Sequence, residues 1–265
     1  MKLRTKRALT SIAALLVNAF AFADSPHWTY DEQNQPGGWG AITGTGTPAP
    51  MNYPYAECAI GANQAPVDIA GVEVTPIINT LAFKWPSFKA DFFNTGHAIE
   101  VLPSSTSYFG TTKVGKDVYP WIQAHLHAPA EHTINGQTFA AEMHFVHIRN
   151  DGRMIVVGLM IERGAANGEI QKMLDNTPNT PGTATHNQTT IPFDPSKILP
   201  KAAKKFYTYA GSLTTPPCTE GVNWYVYSSP ISMSEAQLDA LRGFYEGNNR
   251  NLQSLNGKQP VTNKK

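Results

Sequence analysis

The chain has 265 residues, 41% hydrophobic and only 15% charged, with 21 basic residues against 20 acidic ones. That length fits one large domain or two small ones and can bury a sizeable core. The near-neutral balance implies neither nucleic-acid binding nor attraction to an anionic membrane surface.

The first 23 residues read as an export signal. Lys2, Arg4, Lys6 and Arg7 form a basic n-region, Ala8 to Phe20 a mostly apolar h-region, and Ala21-Phe22-Ala23 a small-residue cleavage site. The apolar run is shorter than the ~20 residues a membrane span needs, and nothing later in the chain resembles one. Cleavage after Ala23 is expected to release residues 24–265 as a periplasmic or secreted protein with no membrane span. The released part carries 17 basic and 20 acidic residues, a formal charge of −3. Its only cysteines are Cys58 and Cys218. An even count in an oxidising compartment favours a disulfide, with two buried free thiols as the alternative.

Beyond the signal, short alternating runs dominate. Strands are expected at Leu81–Phe83, Ala98–Leu102, Tyr119–Leu126, Thr138–Arg149, Met154–Glu162 and Asn223–Ser228. Met154–Ile161 is almost continuously apolar, as a strand buried on both faces would be. Trp39–Glu57 and Thr177–Thr190 read as loops. Helical patterns are confined to Gly168–Leu174 and Ser234–Gly243, the latter with Ser232 or Ser234 as N-cap and Glu235 in the first turn. Strands spread over the whole chain without a linker predict one domain around a central sheet.

The segment with most chemical content runs from Gln123 to His147. His125 and His127 are two apart and share a strand face. Asn135-Gly136 is a strong two-residue hairpin signal. If Ile134 pairs with Gln137 across that turn and the ladder continues, His127 lies opposite His144, with His125 beside it. Pro129 stands in the path of that ladder. Three neutral imidazoles without a fourth protein ligand make an open tetrahedral zinc site, whose free position holds a water that the metal acidifies. A closed structural site would want a fourth ligand. His147 is the nearest candidate, but its odd spacing from His144 points it to the opposite face.

Several motifs in one order resemble the α-class carbonic anhydrases, in particular their exported bacterial members. They are Trp28-Thr-Tyr30, Asn63-Gln-Ala-Pro-Val-Asp-Ile69, Asn94-Thr-Gly-His-Ala98, His125-Leu-His127, Glu131-His-Thr133, Ala140-Ala-Glu-Met-His-Phe-Val-His147, Tyr209-Ala-Gly-Ser-Leu-Thr-Thr-Pro-Pro-Cys218 and Asn248-Asn-Arg250. The likeness covers about Trp28 to Gly257. It implies a mainly β (α+β) single domain on a large, twisted, mostly antiparallel sheet with short peripheral helices. It also implies the reversible hydration of CO₂ to bicarbonate and a proton, by attack of a zinc-bound hydroxide. The resemblance assigns the zinc ligands to His125, His127 and His144, with Gln123, Glu142 and Asn248 supporting them. Thr214 becomes the hydroxyl that orients the nucleophile and donates to Glu131. His97 becomes the proton shuttle, with Tyr30 on its path, and Val146, Val156, Leu213 and Trp224 the apolar wall for CO₂. Cys58 and Cys218 match a disulfide, and a homodimer is admitted as the quaternary state. An ordinary imidazole titrates near 6.5, which suits His97 to relay protons at neutral pH. His132 and His147 are expected to be hydrogen-bonded core residues, and His27 and His186 to lie on the surface.

The chain departs from the family pattern in places. Thr95 and Glu100 stand where asparagines are common along the water path. Leu126 replaces a phenylalanine, and Ala128-Pro-Ala130 replaces a hydroxyl-bearing loop before Glu131. Pro36-Gly-Gly-Trp39 lacks an acid–histidine pair, and Asn251 and Ser254 replace prolines. None removes a catalytic group.

Overall fold

A computed structural model describes residues 26–263, apart from 45–51, 76–79, 105–107, 109, 186–190, 201–204 and 246. The expected signal peptide and His186 lie outside the described residues.

The strands, in chain order, are β1 (Asp68–Ile69), β2 (Glu73–Val74), β3 (Leu81–Lys84), β4 (Phe88–Asn94), β5 (Ile99–Pro103), β6 (Thr111–Val114), β7 (Asp117–His127), β8 (Thr133–Ile134), β9 (Ala141–Ile148), β10 (Met154–Arg163), β11 (Thr183–Ala184), β12 (Pro192–Phe193), β13 (Phe206–Ser212), β14 (Glu220–Met233) and β15 (Val261–Thr262). Thirteen of them build one sheet in the order β11-β4-β5-β7-β9-β10-β14-β13-β15-β2, with β12, β3 and β6 attached at the side. The ladders are antiparallel except β10–β14 and β15–β2, which are parallel. The mostly antiparallel central sheet implied by the resemblance is therefore present. β4 and β13 extend it beyond the expected strands. The Trp39–Glu57 segment carries a 3₁₀ turn at Gly38–Ala41, and the Thr177–Thr190 loop contributes the two-residue β11. None of the described helices is long and apolar enough to cross a membrane.

Alternation at the centre of the sheet decides where the chemistry sits. In β9 the odd positions Met143, Phe145 and His147 face one side, and the even positions Glu142, His144 and Val146 face the other. β10 alternates likewise. Ile155, Val157, Leu159 and Ile161 enter a large apolar core with Leu126 and Phe145, closed by Met173 and Leu241 of two helices. Met154, Val156 and Met160 join Val146, Tyr209 and Trp224 on the opposite face. This explains why Met154–Ile161 is buried throughout. The helices Gly168–Asn176 and Glu235–Phe244 cover the first face only. Asn167 caps the first, and Ser234 forms a full capping box with Gln237 on the second.

The hairpin reading needs one correction. Ile134 does bridge Gln137 across the Asn135-Gly136 turn, but the bridge is isolated, and β8 pairs in parallel with β1 instead. The β7–β9 ladder opposes His125 to His144 and His127 to Glu142, two residues away from the expected register. Proline has no N–H to give a ladder, and the chain leaves the sheet at Ala128–Pro129 before re-entering at β9. A slip of two positions preserves the face, whereas a slip of one would have reversed it. The three histidines therefore still converge.

Candidate metal centre

His125 and His127 leave β7 on the same face as His144 of β9, their ring centroids 4.7–5.1 Å apart. His127 and His144 are each 1% exposed, and His125 is half-buried at the floor of a cavity. Burial, together with the other two imidazoles, pushes His125 well below its ordinary range, and burial lowers His127 against the opposing pull of Glu131. Both rings are therefore neutral at pH 7.

Hydrogen bonds fix the free nitrogen of His127 and His125, and an ion-pair contact that of His144. The Nδ1–H of His127 donates to the carbonyl oxygen of Asn248 at 2.5 Å. A carbonyl can only accept, so His127 Nε2 carries the lone pair, and that buried atom has no hydrogen-bond partner among the described residues. His125 Nδ1 donates to Gln123 Oε1 at 2.8 Å. His144 is turned the other way. Its Nε2 lies 2.9 Å from Glu142 Oε1, so Nδ1 faces inward, 3.3 Å from His125 Nε2. Zinc–nitrogen bonds of about 2.0–2.1 Å at the tetrahedral angle separate two ligands by about 3.3 Å. Three convergent lone pairs, one of them a buried nitrogen without a partner, fit a zinc ion.

The support around the rings is extensive. Burial pushes the Glu142 carboxyl up, but His132 and His144 outweigh it and hold the group well below the usual carboxylate range. Glu142 Oε2 accepts from the backbone N–H of Glu131 at 3.0 Å and of His132 at 2.8 Å. His132 Nδ1 meets Glu142 Oε1 at 2.8 Å, and its Nε2 meets Tyr209 Oη at 2.6 Å. His132 is thus a hydrogen-bonded core residue, as expected, but one that links Tyr209 to the carboxylate beside His144. Gly158, opposite His144 on β10, leaves room for this. A Cβ there would meet Glu142 Oε1 at 3.0 Å and Val226 at 3.4 Å. The side chain of Asn248 donates to Leu126 O and His97 O and accepts from Ala128 N, pinning the loop that replaces the family's hydroxyl-bearing one.

Glu131 is 2% exposed. Its Oε1 accepts from the backbone N–H of Arg250 at 2.8 Å. Its Oε2 has no hydrogen-bond partner among the described residues and lies 3.5 Å from His127 Nε2 and 3.8 Å from His144 Nδ1. Thr214 is buried on the wall of the same cavity. Its turn is closed by Leu213 N–H to Thr219 O and Cys218 N–H to Thr215 O, and Cys218 is bonded to Cys58.

The cavity holds about 530 Å³ and opens from the three histidines to solvent. One wall is polar, with Tyr30, Thr95, His97, Glu100 and Gln123. The other is apolar and holds all four expected residues, Val146, Val156, Leu213 and Trp224, together with Ile122, Ile148 and Met154. Ile148 and Met154 are two positions from Val146 and Val156, so strand periodicity alone places them on that wall. Ile122 sits at the β7 bulge between Trp121 and Gln123, which strand periodicity does not reveal.

His97 differs from the sequence expectation. Its ring stacks on Trp28, with centroids 3.7 Å apart and planes at 11°. Burial and the neighbouring His27 push it down to about 4, so it is not the ordinary imidazole expected. Thr95 Oγ1 accepts from the N–H groups of His97 and Ala98 and donates to Ala98 O, shaping the turn that presents His97. Exposed His27 lies 6.0 Å from His97 at the cavity mouth. The Tyr30 hydroxyl is buried without a hydrogen-bond partner among the described residues, and burial, then Glu131, raise it well above its usual value. His147 is on the other face, as its spacing required. Its Nε2 meets Thr112 Oγ1 at 2.8 Å, and its ring stacks on Trp85.

Comparison with known proteins agrees with this geometry. The family profile described as eukaryotic-type carbonic anhydrase matches residues 48–264. A carbonic anhydrase of Neisseria gonorrhoeae is 34% identical over 96% of each chain, and one of Klebsiella pneumoniae 33% identical over 96% of each. Among solved structures, the α-carbonic anhydrase of Thermovibrio ammonificans, in complex with the inhibitor sulfanilamide, superposes with a TM-score of 0.78 at 34% identity, covering 89% of this chain and 99% of that one. The chain belongs to the eukaryotic-type, or α, carbonic anhydrases, a family of lyases.

Proposed function

We propose that this enzyme interconverts CO₂ and bicarbonate at the cavity floor, with zinc held by His125 Nε2, His127 Nε2 and His144 Nδ1. The observation that carries the reading is the buried His127 Nε2, a lone pair without a partner aimed at two others. When bound, zinc supplies the Lewis acidity that makes water a nucleophile at neutral pH; the three-histidine site of carbonic anhydrases is itself the reference case for this chemistry.

The chain's own residues do the rest. Gln123, the Asn248 carbonyl and Glu142 hold each ring in the tautomer that leaves the inward nitrogen free. Glu131, fixed by the Arg250 N–H, keeps Oε2 as an open acceptor beside the histidines. On this reading the Thr214 hydroxyl, on the wall of the same cavity, turns to donate to that open oxygen during turnover and accepts a hydrogen bond from the nucleophile, since a hydroxyl does both at once. Val146, Val156, Leu213 and Trp224 receive CO₂, which is small and apolar, on a wall that offers it no competing polar groups. His97 takes the released proton at the polar wall and passes it to buffer, and its depressed basicity favours release over retention. Tyr30 borders that path. The disulfide and the bacterial relatives support an exported protein, cleaved after Ala23 and at work in the periplasm or outside the cell.

The deciding experiment is stopped-flow CO₂ hydration by the purified mature protein, with zinc content and a chelator-treated control. Fast hydration lost on chelation, at about one zinc per chain, is the expected result. One zinc per chain without hydration would reject the catalytic reading.

A further inference from the structure

Each inward nitrogen is kept free by what the other nitrogen meets, and the three partners differ in kind. His127 faces a carbonyl and His144 a carboxylate, neither of which can be turned into a donor by rotation. His125 faces Gln123, whose amide presents an acceptor at one end and a donor at the other. Reversed, that amide would aim Nε2–H at His125 Nδ1 and force the proton onto His125 Nε2. The inward nitrogen would then be a donor with no lone pair for a metal.

One residue opposes the reversal. Glu100 lies on β5 directly across the ladder from His125. Its Oε1 accepts from Gln123 Nε2 at 3.3 Å, while Gln123 Oε1 accepts from His125 Nδ1 at 2.8 Å. We propose that Glu100 is a positioning residue for the metal centre: its carboxylate fixes which end of the Gln123 amide faces His125, and so which nitrogen of His125 is free. A carboxylate accepts only, so a reversed amide would set Gln123 Oε1 against the Glu100 oxygens, two acceptors without a proton between them. An asparagine or glutamine at position 100 could rotate its own amide and tolerate either orientation. When ionised, the acid that departs from the family pattern makes the arrangement one-way. The inference rests on the reading of His125 as a metal ligand.

The test is zinc affinity of the full mature protein by competition with a chromophoric chelator. It is run at about pH 8.5, where a carboxyl raised to about 7 by burial is ionised. Loss of an outer partner typically weakens metal binding about 10- to 100-fold. Glu100→Ala, one step further out, is expected to weaken zinc about tenfold, with the isosteric Glu100→Gln falling between it and the parent. In a Gln123→Ala background, Glu100→Ala should cost nothing more, because the relay is already cut. Nitrogen-15 NMR of the metal-free proteins should show His125 as the Nδ1–H tautomer in the parent and as a mixture in Glu100→Ala. The inference is overturned if both Glu100 variants bind zinc within about twofold of the parent, or if the losses from Glu100→Ala and Gln123→Ala multiply. His125→Ala separates the two failures. If it keeps parental zinc affinity, the ligand reading falls and this inference with it. If it loses zinc while both Glu100 variants keep it, only the role of Glu100 falls.

Discussion

Replacing both Cys58 and Cys218 by alanine should leave the enzyme active but much less stable. The bond spans 160 residues of sequence. In the chain-entropy account, a loop of that length removes about 17 cal/mol/K from the unfolded ensemble, about 5 kcal/mol at 25 °C, an upper figure because measured bridges commonly give 2–5. The native positions of the two segments have other ties. Arg250 donates to Cys58 O at 3.0 Å, Gln64 donates to Cys218 O at 3.1 Å, and the Glu220 N–H donates to Glu57 Oε1 at 3.1 Å. Cys218 is also fully buried against Trp28, Trp39 and Tyr55. The effect should therefore fall on the unfolded state. Urea unfolding at equilibrium should lose about 3–5 kcal/mol with a larger m-value, because the released chain exposes more surface. The melting temperature should drop by roughly 6–20 °C. CO₂ hydration at 25 °C should stay within about twofold. A stability loss under about 1 kcal/mol would refute the entropic argument. A collapse of kcat/KM at 25 °C in a folded variant would show instead that the bond itself holds the Thr214 turn.

Other substitutions test the site and the opposite face of the sheet. His144→Ala should abolish both zinc binding and hydration; full zinc stoichiometry by metal analysis would remove His144 from the ligand set. His97→Ala should slow turnover in weak buffer and recover in part with added imidazole, whereas turnover independent of buffer would take His97 off the proton path. Val156→Phe, pushed into the apolar wall, should cost about 1–3 kcal/mol of stability and lower kcat/KM; unchanged kinetics would place CO₂ elsewhere. Burial pushes His147 down to about 3. Between pH 6.5 and about 3 the unfolded chain therefore binds a proton that the native one refuses, and stability falls as pH falls through that window. His147→Gln should lessen the slope of unfolding free energy against pH by up to about 1.4 kcal/mol per unit, and an unchanged slope between about pH 4 and 6 would contradict the assignment.

What could be read from the sequence follows from the range of the forces involved. The central strands β7 and β9 carry their own alternation, β10 is a near-continuous apolar run, and the Ser234 capping box is a local signal, so all are legible. β1, β2, β8, β11, β12 and β15 have two residues each and exist only because a distant segment pairs with them. The hairpin register failed at Pro129 because a ladder was assumed to continue where a proline cannot join it. The histidine triad survived the error because strand faces depend on whether a slip is odd or even. The basicity of His97 was not legible. It is set by Trp28 and His27, some seventy positions away, which bury and crowd a ring that the local Gly-His sequence leaves unconstrained. Glu100 was visible as a departure, but its partner Gln123 belongs to another strand, and only their adjacency gives the acid a task.

At the far edge of the sheet, β2 lies parallel to β15, with Glu73 against Val261 and Val74 against Thr262. Edge strand β2, early in the chain, is thus completed by the last of the described strands. At 5–20 residues per second, the 188 positions between Glu73 and Val261 take about 10–40 s to synthesise. Through that interval β2 has no partner in the sheet. Pairings of such long range also fold slowly once available. Among the described strands the β2–β15 edge is therefore the last pairing that synthesis allows, whereas β7, β9 and β10 can pair as soon as Arg163 has been made.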